Sequence, residues 1–208
     1  MNLKEILKKF TINEIIYFEE NFDKQFLAIK NLRKNLNNDD LFVKLVILNS
    51  IVSYQLIEPG EKYWLDFSNF FSQNNQNVLQ SFKIFLEKFN PINKESKLKR
   101  IEKVYLWIKD KNLIEDYKQN LKKFNKDLAF ILKQKENDKT ICFATKMFGY
   151  SLRVIGFKII FPFEIFIPID KRIGKISKDL NFWINLSKEI KTFIKYRLFN
   201  MDNFWFKI

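Results

Sequence analysis

Apolar side chains recur along most of this chain at the three- and four-residue spacing of amphipathic α-helices. Residues 3–36 predict helices, one of which starts at a capping box formed by Thr11 and Glu14. Residues 41–56 predict the most apolar helix of the first half, and a Pro-Gly pair then breaks the chain. The later pattern predicts a short helix over 61–71, single helices over 77–90 and 94–109, and one or two helices over 112–134. The pattern is therefore that of a mainly helical chain.

Residues 133–175 hold the two charged side chains around which the rest is organised. A polar turn leads into an apolar helix that opens with Lys139, and a connector rich in Phe, Ile and Pro ends at Asp170, before another predicted helix. Lys139 is either a surface lysine or a nucleophilic amine, and Asp170 is either a helix N-cap or a carboxylate that faces a cleft. Lys146, two turns further along the same helix face, competes with Lys139 for the role of nucleophile.

Composition favours a helical fold. The chain has 4 Gly and 4 Pro, few for a turn-rich β fold, and its 24 Phe and 47% hydrophobic residues supply a sizeable core. A single cysteine excludes an intrachain disulfide, a Cys-based zinc site and an iron–sulfur cluster. Because histidine is absent, acid–base or nucleophilic work falls to other side chains. We predict an all-α protein without a metal site.

The charge of the chain points to its partner. A formal net charge of +13 and a pI near 9.6 favour nucleic acid, with an anionic membrane surface or no special partner as alternatives. Lys97, Lys99, Arg100 and Lys103 are expected on the outside of the helix over 94–109, either as a solvated face or along phosphates. The chain shows neither a signal peptide nor an apolar run long enough to span a membrane, which predicts a cytoplasmic protein with no membrane partner.

Several motifs carry a family resemblance. A helix, a hairpin, a second helix opening with Lys-Thr and a connector ending in Pro-x-Asp resemble the helix-hairpin-helix-GPD family of DNA glycosylases. The segments VSYQLIEPGEKYW, DKTICFATKM and PIDKRI are more specifically similar to the archaeal 8-oxoguanine DNA glycosylases, and the resemblance runs from about Gln25 to Asp202. It implies one all-α domain over 1–208, made of two helical subdomains with the active site in the cleft between them. The helix-hairpin-helix-like element is expected at about 121–156.

The resemblance also implies roles for single residues. Lys139 matches the family's Schiff-base lysine, and Asp170 matches its catalytic aspartate. Phe143 would stack on a base flipped out of DNA, and the main-chain carbonyl of Pro168 would accept the N7–H that distinguishes 8-oxoguanine from guanine. The other base-binding positions implied by the resemblance are Gln25, Ser53, Trp64, Asp202 and Phe206, with Trp205 as the alternative to Phe206.

The resemblance leads to an expected activity. It implies a bifunctional enzyme that excises 8-oxoguanine from double- or single-stranded DNA and then nicks the abasic site by β-elimination, as a monomer without a cofactor. Two alternatives stay open: a non-catalytic basic helical module that binds nucleic acid, and a glycosylase of the same fold for a different damaged base. The sequence departs from the family in its hairpin turn, QKENDK, which lacks the glycines that ordinarily hold a DNA phosphate, and in a longer connector after the lysine helix.

Overall fold

The computed structural model describes residues 11–162, 165 and 173–189, and within these it contains helices and no strand. The all-α prediction is confirmed. None of the helices in these ranges is both long and apolar enough to cross a membrane. In chain order the helices are α1 (Ile12–Phe22), α2 (Lys24–Asn35), α3 (Asp39–Ser50), α4 (Gly60–Phe71), α5 (Val78–Phe89), α6 (Lys94–Ile108), α7 (Leu113–Tyr117), α8 (Leu121–Leu132), α9 (Lys139–Val154), α10 (Ile173–Ile176) and α11 (Leu180–Glu189).

Helices α3 and α9 form the centre of the fold. Every residue from Phe42 to Ser50 of α3 is buried, and α3 packs against α9, α6, α7 and α2. Helix α9 is buried on nearly all sides after its first turn. A helix that is apolar all round must lie inside the protein, and the other amphipathic helices cover these two with their apolar faces. The start of α9 is therefore its accessible end.

Helix α3 ends at Ser50, six residues before the predicted end of the apolar run. The prediction was wrong because local hydrogen bonds end the helix, although apolar residues continue beyond Ser50. The Ser50 and Ser53 hydroxyls donate to the main-chain oxygens of Ile47 and Asn49, at 2.7 and 2.8 Å. Gln55 then takes a left-handed conformation, with φ of 49°. The loop that results places Ser53 beside helix α4.

The segment predicted to form a helix-hairpin-helix-like element contains α8, a tight turn and α9. Lys133 ends α8 in the left-handed region, with φ of 51°, so a lysine occupies a position that glycine ordinarily takes. Gln134 N donates to Ala129 O at 2.9 Å, and Arg100 Nη2 donates to Gln134 Oε1 at 2.5 Å. The turn is thus held by backbone and side-chain bonds without a glycine.

One lysine of α6 contradicts the expected solvated face. Lys99 and Lys103 are exposed and Arg100 is half-buried, but Lys97 is completely buried. Its ammonium donates to Asn90 Oδ1 at 2.5 Å and lies 5.0 Å from the centroid of the Tyr54 ring. Burial lowers the pKa of Lys97 to about 8. The prediction failed for this residue because an asparagine and an aromatic ring from neighbouring turns enclose it.

The helices near the C-terminal end differ in detail from their predictions. The pattern predicts one helix over 171–180 and another over 182–197. The helices described there are α10, over Ile173–Ile176, and α11, which begins at Leu180. Asp179 caps α11 by accepting from Asn181 N at 2.9 Å, and Trp183 Nε1 donates to Ser177 O at 2.9 Å. These bonds hold the break between α10 and α11, which the pattern also predicts as two helices.

Candidate active site

Lys139 is the first residue of α9, as the sequence predicts, and its side chain is exposed. Asp138 precedes it in an extended conformation and accepts from Lys135 N at 3.1 Å, which closes the turn. None of the described residues forms an ion pair with Lys139. An exposed primary amine at a fixed point of the backbone can reach an electrophilic carbon of a bound ligand.

Two predicted base-binding aromatics meet one turn beyond Lys139. Phe143, half-buried on α9, packs edge-on against Trp64 of α4, with ring centroids 6.1 Å apart. Trp64 is fully buried, and no hydrogen-bond acceptor for its Nε1–H lies among the described residues. A buried donor without a partner is uncommon and marks a place where a ligand can supply the acceptor.

Gln25 lies beside the first turn of α4, the helix that carries Trp64. A Cβ atom on Gly60 would be 3.8 Å from Gln25 Nε2, and Gly60 precedes Trp64 by one turn on the same face of α4. Gln25 is half-buried, and its side-chain amide bonds to none of the described groups. An unpaired amide, an indole N–H and a half-exposed phenyl ring can together read the edge and face of a flat heterocycle.

Ser53 belongs to a polar cluster beside this region. Tyr63, the neighbour of Trp64, donates from its hydroxyl to Asn49 Oδ1 at 2.7 Å. Asn90 closes the cluster by donating from Nδ2 to Val52 O at 3.0 Å. Burial raises the pKa of Tyr63, so its hydroxyl stays protonated, although hydrogen bonds to Asn90 and Ser53 oppose the shift. Ser53 therefore lies beside Tyr63, the neighbour of Trp64 on α4.

Lys146 has surroundings unlike those of Lys139. It is 1% exposed, its Nζ lies 3.5 Å from Asp23 Oδ2, and it sits 4.6 Å from the centroid of the Tyr150 ring. A side chain held in a buried ion pair cannot reach a sugar carbon outside the core. The geometry therefore favours Lys139 over Lys146 as the nucleophile.

A buried ionic cluster joins α1 to α9, and the sequence pattern did not reveal it. Arg153 Nη1 donates to Glu19 Oε2 at 2.6 Å, and the Tyr150 hydroxyl lies 2.9 Å from both Glu19 Oε1 and Asp23 Oδ2. Burial raises the pKa of Glu19 to about 8, although Arg153 and Lys146 act in the opposite direction. The one member of this cluster that the sequence could have indicated is Asp23. It ends α1 and caps the start of α2, so it divides the span 3–36 into separate helices.

The remaining predicted site residues fall outside the described residues: Asp170, Pro168, Asp202, Phe206 and its alternative Trp205. The pairing of Asp170 with Lys139 accordingly stays a prediction. Phe143 contacts Trp64 and lies one turn beyond Lys139 on the same face of α9, and Gln25 lies beside Gly60, one turn before Trp64 on α4. Within residues 11–162, 165 and 173–189, no three His, Cys, Asp or Glu side chains group as metal ligands would.

Comparison with known proteins gives a consistent result. The family model described as "AGOG: N-glycosylase/DNA lyase" matches residues 4–208. An N-glycosylase/DNA lyase of Nanoarchaeum equitans is 45% identical over 190 residues, which cover 90% of this chain and 82% of that protein. One of Methanococcus maripaludis is 40% identical over 204 residues, which cover 91% and 81% of the two chains.

A solved structure has the same fold. It is a crystal structure of an 8-oxoguanine DNA glycosylase from Pyrobaculum aerophilum in complex with 8-oxoguanosine. The TM-score is 0.81 at 24% sequence identity, and the match covers 93% of this chain and 82% of that one.

Proposed function

Because the chain belongs to the AGOG family of N-glycosylase/DNA lyases, we propose that it excises 8-oxoguanine from DNA with Lys139 as its nucleophile. A DNA glycosylase and abasic-site lyase is what the family model and the curated relatives have in common. One geometric observation carries the assignment of the nucleophile. Lys139 is exposed at the start of a buried helix, one turn before the Phe143 ring that packs on Trp64.

The proposed reaction begins when neutral Lys139 Nζ attacks C1′ of the damaged deoxynucleotide. The bond from C1′ to the base breaks, and the base leaves with the electron pair and takes up a proton. Asp170 is assigned to stabilise the positive charge that develops at C1′ and to help deprotonate Lys139. Ring opening gives an imine between Lys139 and C1′. Loss of a proton from C2′ then expels the 3′ phosphate, which is β-elimination, and water releases the enzyme.

Base recognition needs the nucleotide to leave the duplex. A base inside the helix cannot be reached, so it must be extruded into a pocket and stacked on an aromatic side chain. Phe143 is assigned to the face of the base, and Gln25 with Trp64 to its edges. Their unpaired side-chain groups within the described part of the chain support this assignment. The carbonyl of Pro168 is assigned to the N7–H, and Ser53, Asp202 and Phe206 complete the proposed pocket.

Borohydride trapping tests the proposal. The enzyme is mixed with a duplex containing one 8-oxoguanine in the presence of borohydride, which reduces the imine to a stable covalent adduct. We expect a trapped adduct with the wild type and none with Lys139→Gln. Lys135→Gln is the matched control, because Lys135 is an exposed lysine of the same turn, and it should trap as the wild type does. A full-strength adduct in Lys139→Gln would refute the assignment.

A panel of substrates separates the alternatives. We expect excision from 8-oxoguanine duplexes and negligible release of alkylated purines under the same conditions. The reverse preference would identify a glycosylase for a different base. Family membership argues against a non-catalytic module, and that alternative predicts binding that depends on salt but not on a lesion. Comparing affinity for lesion and undamaged duplexes over a range of salt concentrations distinguishes the two.

A further inference from the structure

We propose that the buried pair Lys146–Asp23, together with Tyr150, is a positioning device that fixes Gln25 relative to the helix bearing Lys139. This inference rests on the proposed function, because it concerns how the base-reading residue is held. Lys146 and Asp23 are 1% and 6% exposed, with Nζ and Oδ2 3.5 Å apart. The device thus lies in the core, outside the reach of substrate.

Asp23 has two separate roles, one for each carboxylate oxygen. Its Oδ1 accepts from Gln25 N at 2.8 Å and from Phe26 N at 3.4 Å, and so caps helix α2. Its Oδ2 accepts from the Tyr150 hydroxyl at 2.9 Å and faces Lys146. A carboxylate shared in this way cannot move toward α9 without moving the first turn of α2. Gln25 is in that first turn.

The partners of Asp23 lie on the same stripe of α9 as the nucleophile. Lys139, Phe143, Lys146 and Tyr150 follow one another at spacings of four, three and four residues, which places them on one face of a helix. Phe143 contacts Trp64, and Gln25 lies near Gly60 one turn before Trp64. This face of α9 is therefore connected to the proposed base-reading residues at two points. Phe143 packs against Trp64, and Lys146 and Tyr150 contact Asp23, which caps the turn that carries Gln25.

A charged pair suits this task better than an apolar contact. Burying two charges costs desolvation energy that only close pairing and additional hydrogen bonds offset, so the pair tolerates few geometries. Apolar side chains slide past one another with little penalty, whereas displacing Asp23 would remove the carboxylate that lies 3.5 Å from the buried Lys146 ammonium. Catalytic geometry is sensitive to shifts of this size, because a displacement of about 1 Å can cost about 100-fold in rate.

The test removes the pair without leaving an unpaired charge. Asp23→Asn combined with Lys146→Met keeps a helix-capping residue and similar volumes while deleting both charges. We expect single-turnover excision of 8-oxoguanine to fall by about 10- to 100-fold. Strand cleavage at a preformed abasic site, which needs no base recognition, should change by less than about 3-fold. A merely structural role would lower both activities together.

A double-mutant cycle identifies Gln25 as the residue through which the pair acts. In a Gln25→Ala background, the same double substitution should lower excision by less than about 3-fold, because there is no longer an amide to misplace. If the full loss persists in that background, or if excision and abasic-site cleavage fall equally, the inference is overturned.

Tyr150→Phe provides a second variant should the double substitution fail to fold. It deletes one hydroxyl bonded to Asp23 and keeps the buried ring. We expect excision to fall by about 3- to 10-fold with abasic-site cleavage retained, and no further loss in the Gln25→Ala background; unchanged excision would contradict the inference. A wild type that does not excise 8-oxoguanine would refute the proposed function itself. An active wild type in which the effects of the double substitution and of Gln25→Ala simply add would refute only the inference about positioning.

Discussion

Lys139 and Lys146 lie on one face of α9, about 10 Å apart along its axis, in opposite surroundings. Lys139 is exposed at the helix start, where no described residue pairs with it, whereas Lys146 is buried against Asp23 and Tyr150. Residue type and helix face are the same, so the difference comes from burial and pairing alone. The start of α9 therefore presents an exposed amine that can react with a ligand, whereas the lysine two turns later contributes to the packing of the core.

Substituting each lysine should separate activity from stability. Lys139→Gln should lower strand cleavage by at least about 10³-fold and change the free energy of unfolding by less than about 0.5 kcal/mol, since the side chain is exposed. Lys146→Met should destabilise the protein by about 3–5 kcal/mol, because it leaves the Asp23 carboxylate buried without its counterion. Single-turnover kinetics and urea unfolding measure the two effects. If Lys139→Gln mainly lowered stability and Lys146→Met mainly lowered activity, the assignment of the two lysines would be wrong.

The buried half of α9 is also where the connector packs. A Cβ atom on Gly149 would lie 2.1 Å from Phe161 Cζ, so Gly149 is the close-approach point that admits the Phe161 ring. Gly149→Ala should destabilise the protein by about 1–3 kcal/mol through overpacking. Urea unfolding checks this value, and combining it with Phe161→Leu should restore part of the loss. Gly60→Ala is the control, since its Cβ would meet only ordinary contacts at 3.8 Å. Equal losses at the two glycines would refute the packing argument.

The ionic cluster in the buried half of α9 predicts that the stability of the protein depends on pH. Burial raises the pKa of Glu19 from 4.5 to about 8, so between these values the folded chain holds a proton that the unfolded chain has lost. Rising pH then favours unfolding, by up to about 1.4 kcal/mol per pH unit. Stability attributable to this group is greatest below pH 4.5 and is lost as the pH rises to about 8. Urea unfolding of the wild type and Glu19→Gln from pH 5 to 8 measures the contribution. Parallel pH profiles would contradict it.

The smallest expected effect concerns the turn before Lys139. Lys133 adopts a left-handed conformation that costs a non-glycine residue about 1 kcal/mol. Lys133→Gly should therefore stabilise the protein by up to about 1 kcal/mol in urea unfolding. Lys135→Gly, at a position of the same turn without positive φ, should stabilise nothing. If both substitutions destabilise, then strain at Lys133 does not explain the turn.

Local signals predicted much of the fold. The Thr11–Glu14 capping box forms, and α9 begins at Lys139 as expected. The sequence misjudged the end of α3, which stops at Ser50 because the Ser50 and Ser53 hydroxyls bond to preceding main-chain oxygens. It also misjudged Lys97, where distant groups decide the outcome. Lys97 is buried because Asn90 and the ring of Tyr54 enclose it. A periodic pattern contains no record of such contacts.

The candidate site was predictable in a different way. The family resemblance selected Lys139, Trp64 and Phe143, and the structure brings the two aromatic rings together although they are far apart in sequence. Asp23 was missed because a capping aspartate is an ordinary feature, and its second role depends on Lys146 and Tyr150 more than a hundred residues later. The spacing of residues in the sequence predicts helix faces and helix caps. It does not predict a carboxylate such as that of Asp23, which caps one helix and also contacts side chains of another.

The most direct test of the central claim is to identify the lysine that carries the trapped sugar. Wild-type enzyme is reacted with an 8-oxoguanine duplex in borohydride, the DNA and protein are digested, and the modified peptide is sequenced by mass spectrometry. We predict a single adduct, on Lys139. An adduct on Lys146 would show that the buried lysine is the nucleophile and would contradict the division of α9 into an open chemical end and a buried structural one.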